Sequence, residues 1–311
     1  MYFKKFLILF ILSQNIVIAQ GISCELPLDL QNLIDKSYQK KLFQTKDIKK
    51  NLNVLKNMCM YGLSFQEGKY RWKMLLVFNP KRSSGPFWFL PHDNENTAFS
   101  SAVYATEKYG GGFLAIQSND KRYYNGQDPN RNFGISKRES NVCAQQKYPA
   151  PLYTKYIFNI IDRFKKKDIP YLSLHNNKNG WYGNGGMGGI SILKESSKVR
   201  SYQGGKVMVG SKKGLSDEDS VVYVAGKNHS PKKSQLNPLL QSGMHVKYEI
   251  VNANNNDCSM SNYVVLNKGY GYYNIESEHG DSLAQKLMID KLMKIIGISP
   301  LRSAGTTSNL F

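Results

Sequence analysis

From Trp72 onward the chain alternates short runs of β-branched and aromatic residues with longer stretches that carry apolar residues at helical spacing. Few architectures accept that alternation. Candidate strands are residues 74–79, 86–90, 113–117, 171–174, 221–225, 246–251, 263–266 and 272–275. Residues 96–109 read as a helix that stops at Gly110, Gly111 and Gly112. Residues 153–167 set Tyr153, Tyr156, Ile157, Ile160, Ile161 and Phe164 on one helical face and end in three lysines, which suit the negative end of the helix dipole. Residues 282–296 repeat the pattern with Leu283, Leu287, Met288, Leu292, Ile295 and Ile296, then stop at Gly297. The expected fold class is α/β, three layers with a mixed, largely parallel twisted sheet between helices. Residues 20–70 read as an N-terminal extension with one or two short helices, 71–300 as the main domain and 301–311 as a polar tail.

Residues 1–19 read as a signal peptide. Lys4 and Lys5 precede an apolar run interrupted at 13–15, and the small residues Val17 and Ala19 place cleavage after Ala19. The run is shorter than the roughly 20 apolar residues of a spanning helix, so no transmembrane span is expected after cleavage, and the mature chain is expected to be periplasmic or secreted. Four cysteines in such a chain allow two disulfides in three pairings, and none has the close spacing of a zinc knuckle. A net charge of +19, from 42 basic and 23 acidic residues, favours anionic partners such as an envelope polymer. The basic residues are scattered and no docking helix or aromatic–basic motif accompanies them, so no specific nucleic acid is expected.

Chemistry concentrates at strand ends. Pro86-Phe87-Trp88-Phe89-Leu90 reads as a buried strand and runs directly into Pro91-His92-Asp93-Asn94-Glu95. A His and a Glu three apart, just past a strand, can turn both heads to one point, which is what a metal asks of its first two ligands. A second strand-like run, residues 169–174, leads into His175. Ligands in open α/β sheets sit beyond the carboxyl ends of strands, so His92, Glu95 and His175 are candidate metal ligands with one position left open. Asp128-Pro129-Asn130-Arg131-Asn132-Phe133 offers an amide beside a guanidinium fork, suited to gripping a carboxylate. Tyr272-Tyr273-Asn274-Ile275-Glu276 is a strand-like run ending in an acid that could move a proton. Glu278, two residues on, would share its face.

HxxE, then DPNRNF, then a strand-end His, then a strand-end Glu is an order similar to that of the zinc metallocarboxypeptidases, and of the related succinylglutamate desuccinylase and aspartoacylase type of deacylase. The resemblance covers roughly residues 72–296. It implies one Zn²⁺ per chain on His92, Glu95 and His175, Glu276 as general base and acid, and Asn130 and Arg131 as the grip on a substrate carboxylate. Arg122 would polarise the scissile carbonyl, and Tyr263 is the candidate for the family's capping tyrosine. The family usually places a glycine or alanine after the first histidine, where this chain has Asp93. The implied substrate is a peptide, from a cell wall for instance, that loses its C-terminal residue. An N-acyl amino acid with a free carboxylate is the second enzyme reading, and a non-catalytic peptide- or polymer-binding protein the third.

Overall fold

A computed structural model describes residues 24–210 and 214–302. The expected signal peptide and residues 303–311 of the tail lie outside them. Nine strands form one sheet among the described residues: β1 (Cys59–Glu67), β2 (Tyr70–Phe78), β3 (Phe87–Leu90), β4 (Gly112–Ile116), β5 (Tyr171–Asn177), β6 (Val199–Tyr202), β7 (Val221–Gly226), β8 (His245–Ile250) and β9 (Tyr272–Glu278). Their order is β1-β2-β4-β3-β5-β9-β7-β8-β6. The four central strands β4, β3, β5 and β9 are mutually parallel, as are β7 and β8, while the outer pairings and β7–β9 are antiparallel.

The central strands are apolar on both faces because helices cover both. After the short helices α1 (Leu28–Gln31) and α2 (Lys36–Gln39), α3 (Lys46–Leu55), α4 (Asn96–Tyr109), α7 (Lys233–Gln241) and α9 (Ser282–Ile295) close over Trp88, Leu172, Leu174 and Ile275 on one face. On the other, α6 (Pro151–Phe164) and the short α8 (Met260–Tyr263) cover Phe87, Phe89 and Leu114. Phe87, Trp88 and Phe89 are fully buried, which stabilises the fold by about 1.5–3 kcal/mol for each side chain. α4 stops where the glycines were read as a stop. Gly110 and Gly111 take φ of +74° and +67°, and a Cβ on Gly111 would lie 1.9 Å from the Pro86 carbonyl oxygen. Only glycine fits there.

Two differences from the sequence reading have physical causes. The nine-residue strand β1 lies inside the stretch read as a helical leader and pairs along its length with β2, so the sheet begins before Trp72. Residues 263–266, read as a strand, are helical: Ser259 caps α8 by accepting from Asn262 N, and Val264–Lys268 continue it as a π turn that ends at Gly269 in the left-handed region. Tyr-Val-Val-Leu has no period of its own, and burial of Met260, Val264 and Val265 on one side decides for a helix. The cysteine pairing, open from the sequence, is Cys24–Cys59 and Cys143–Cys258. The second bond fastens the end of the short helix α5 (Lys137–Val142) to the loop before α8.

Candidate metal centre

Three strand ends build the centre. His92 lies two residues past β3, and Glu95 sits at the N-terminal boundary of α4. His175 lies within β5, and the β5–β9 register sets Glu276 directly beside it. Among the described residues, His92, Glu95 and His175 are the one group of His, Cys, Asp or Glu that offers three ligand atoms within 4.8 Å of one another. All three are buried.

Their geometry asks for a cation. His92 Nε2 lies 2.8 Å from Asp128 Oδ1. A carboxylate only accepts, so that nitrogen carries the hydrogen and Nδ1 keeps its lone pair in the neutral ring. That lone pair faces Glu95 Oε1 at 2.8 Å and His175 Nδ1 at 3.2 Å, while His175 Nδ1 lies 3.2 Å from Glu95 Oε2. A tetrahedral zinc ion with bonds of about 2.0–2.1 Å would hold its ligand atoms roughly 3.3–3.4 Å apart. The donor set suits zinc, and these spacings lie within about 0.6 Å of that geometry.

The surroundings tune the charges. Burial opposes the Glu95 carboxylate, but the facing rings of His92 and His175 hold it well below the usual carboxylate range. Burial likewise opposes Asp128, and its bond to His92 with the charge of Arg122 brings it down to about 2. The acids raise His92 against its desolvation, whereas burial lowers His175. Glu276 goes the other way: burial first, then the charge of Glu95, push its carboxyl up to about 8. Its Oε1 accepts from Asn274 Nδ2 at 3.0 Å, while the buried Oε2 has no hydrogen-bond partner.

Arg122 joins the cluster, 3.0 Å from Glu95 Oε1 and 3.6 Å from Asp128 Oδ2. Asn130 Nδ2 is 3.5 Å from His175 Nε2. Arg131 turns toward Asp257, 3.3 Å away, and donates to the Asn130 carbonyl. Tyr263 sits on a helix rather than a strand, partly buried, and its ring packs on Phe158 and Phe133 with centroids 4.7 and 6.2 Å away.

Three supporting residues escaped the sequence reading. Asp128 orients His92, Gln285 on α9 donates to the His175 carbonyl at 2.7 Å, and Asn176 N donates to Glu95 Oε2 at 3.1 Å. A metal-binding histidine needs an acceptor on its far nitrogen, so the Asp of DPNRNF was the one findable signal. Asp128→Asn is expected to weaken zinc affinity about 10–100-fold while the fold persists, as read by competition with a chelating dye. Unchanged affinity would remove Asp128 from the centre.

No protein-family model and no curated protein matches the sequence. Solved structures do. A protein from Shewanella amazonensis assigned as a metallopeptidase aligns at a TM-score of 0.44 and 12% identity, covering 82% of this chain and 92% of its own. The succinylglutamate desuccinylase of Chromobacterium violaceum aligns at 0.41 and 11%, covering 82% and 76%. Bovine thrombin-activatable fibrinolysis inhibitor, solved in complex with tick carboxypeptidase inhibitor, aligns at 0.40 and 10%, covering 84% and 94%. These likenesses carry no part of the reading of the site, which rests on the geometry above.

Proposed function

We propose that the protein is an exported zinc-dependent hydrolase that cleaves an amide bond next to a free carboxylate, with a C-terminal peptide bond as the preferred substrate. The observation that carries this reading is Glu276. A buried carboxyl with one uncommitted oxygen stands in register with His175, beside a three-donor centre that leaves a coordination position open. A closed structural site has no use for such a group.

His92, Glu95 and His175 would hold the zinc, which when bound acidifies water and polarises a carbonyl. Glu276 Oε2 accepts the proton of the attacking water as the new C–O bond forms, then delivers it to the amine nitrogen as the C–N bond breaks. Arg122, partly exposed at the edge of the centre, is the cation available to the developing oxyanion. Asn274 orients Glu276 by its bond to Oε1.

Arg131 would anchor the substrate carboxylate, sharing its guanidinium with Asp257. Its replacement by methionine removes a charge-assisted bond of about 1.5–3 kcal/mol, so KM for a peptide with a free C-terminus should rise about 10–150-fold with a smaller change in kcat. KM unchanged would end the exopeptidase reading. An N-acyl amino acid presents the same amide and carboxylate, and comparing kcat/KM for the two substrate classes separates them.

Export is part of the same reading. Two disulfides tie the chain at Cys24–Cys59 and Cys143–Cys258, bonds that persist in oxidising compartments. Among the described residues no helix is long and apolar enough to cross a membrane.

A further inference from the structure

Beyond the metal centre, three carboxylates are buried together with no cation among the described residues acting on them. Asp217, Glu218 and Asp219 are 0% exposed and Glu278 is 9% exposed. Glu218 is satisfied, accepting from Asn184 Nδ2 and Ser191 Oγ. The other three are not. Both Asp217 oxygens, Asp219 Oδ1 and Glu278 Oε2 lack a hydrogen-bond partner. Asp219 keeps one bond, from Gly180 N to Oδ2 at 2.8 Å. The Asp217 and Asp219 carboxyl groups adjoin, close enough to share a proton, and the Asp219 N–H lies beside Asp217. Burial, together with repulsion among these acids, pushes both aspartates upward.

Asn177 points to a ligand independently. It pairs with Glu278 in the β5–β9 register, two residues beyond the His175–Glu276 pair, so it lies about 7 Å further along the strands. Its Nδ2 donates to the Asp219 carbonyl at 2.9 Å, which aims the side chain at the acidic group. Its Oδ1, buried like the rest, has no partner.

We propose that Asp217, Asp219 and Glu278, together with Asn177 Oδ1, hold a hard divalent cation of the calcium class, apart from the His92/Glu95/His175 centre. Every donor is an oxygen, the preference of calcium rather than zinc. The donors converge less tightly than the histidine centre does. Calcium takes six to eight oxygens at about 2.3–2.6 Å, so opposite ligands stand about 5 Å apart, and amide and carbonyl oxygens complete the shell. The ion would tie the loop between β6 and β7 to the ends of β5 and β9 and offset carboxylates that are otherwise buried at a cost.

The test uses the full chain, stripped of metal with EGTA, reloaded with zinc and dialysed, then titrated with Ca²⁺ by calorimetry and thermal unfolding. One saturable site per chain is expected, with Tm rising by about 5 °C at a hundredfold excess over Kd. Asp217→Asn/Asp219→Asn should abolish that response while zinc content stays unchanged, and without Ca²⁺ it should melt no lower than wild type. Glu278→Gln is the second variant should the first fail to fold. No binding by the wild-type chain, or an undiminished response in either folded variant, would overturn the proposal.

Discussion

Replacing Glu276 with glutamine is expected to lower kcat about 10²–10⁴-fold and to leave zinc content unchanged. Glutamine keeps the size of the side chain, and its carbonyl oxygen can still accept from Asn274, but it cannot take a proton. The residue is buried beside His175 with Oε2 uncommitted. Burial and the neighbouring Glu95 make it more basic than an ordinary carboxylate. A cation held by the adjacent ligands favours its ionised form, so the loaded centre has a base near neutral pH. Glu276 is outside the three-ligand group, which is why metal should survive the change. Steady-state kinetics with metal analysis on the same sample checks both halves. Full activity in the zinc-loaded variant would refute the role. Loss of zinc along with activity would move Glu276 from proton transfer to metal binding.

His175→Ala is expected to do more, abolishing zinc retention and hydrolysis together. Losing one of three protein donors should cost more than the about 10–100-fold that follows loss of an outer partner such as Asp128. The remaining pair, His92 and Glu95, stays 2.8 Å apart on its own turn and cannot fix a tetrahedral ion alone. The fold should persist, because the bond from the Gln285 side chain on α9 uses the His175 backbone carbonyl rather than the ring. Circular dichroism would establish that, and a folded variant that keeps both zinc and activity would show that the ligand set is wrong.

Much of this architecture is legible in the sequence where local pattern and tertiary outcome agree. The helix at 96–109 is bounded by glycines that only its own turn can use, and the helix near 282–296 is legible from its spacing, although Leu283 and Leu287 of the expected core face are exposed and Ala284, Gln285, Ile289 and Met293 join Met288 and Leu292 inside. Phe87-Trp88-Phe89-Leu90 reads as a buried strand because no polar residue interrupts it. His92 and Glu95 are legible because three residues separate them at a strand end. Their meeting with His175 depends on β3 and β5 lying side by side, which the motif order suggests and only the sheet displays. What stayed hidden is set by partners distant in sequence. β1 has mixed burial and takes its register from β2. The Tyr263 segment is apolar without a period and becomes helical through the Ser259 cap and packing. The disulfide partners lie 35 and 115 residues apart. Glu276 and Glu278 share a face, and it is register that sets one beside His175 and the other beside Asn177 among the buried aspartates.

Hydrolysis as proposed depends on His92, Glu95 and His175 holding zinc. Elemental mass spectrometry of the purified full chain, after incubation with zinc and exhaustive dialysis, tests it most directly. Close to one tightly held zinc per chain is expected, removed by a strong chelator and restored on return of zinc. A chain that retains no zinc after that treatment would contradict the centre and the hydrolase reading built on it.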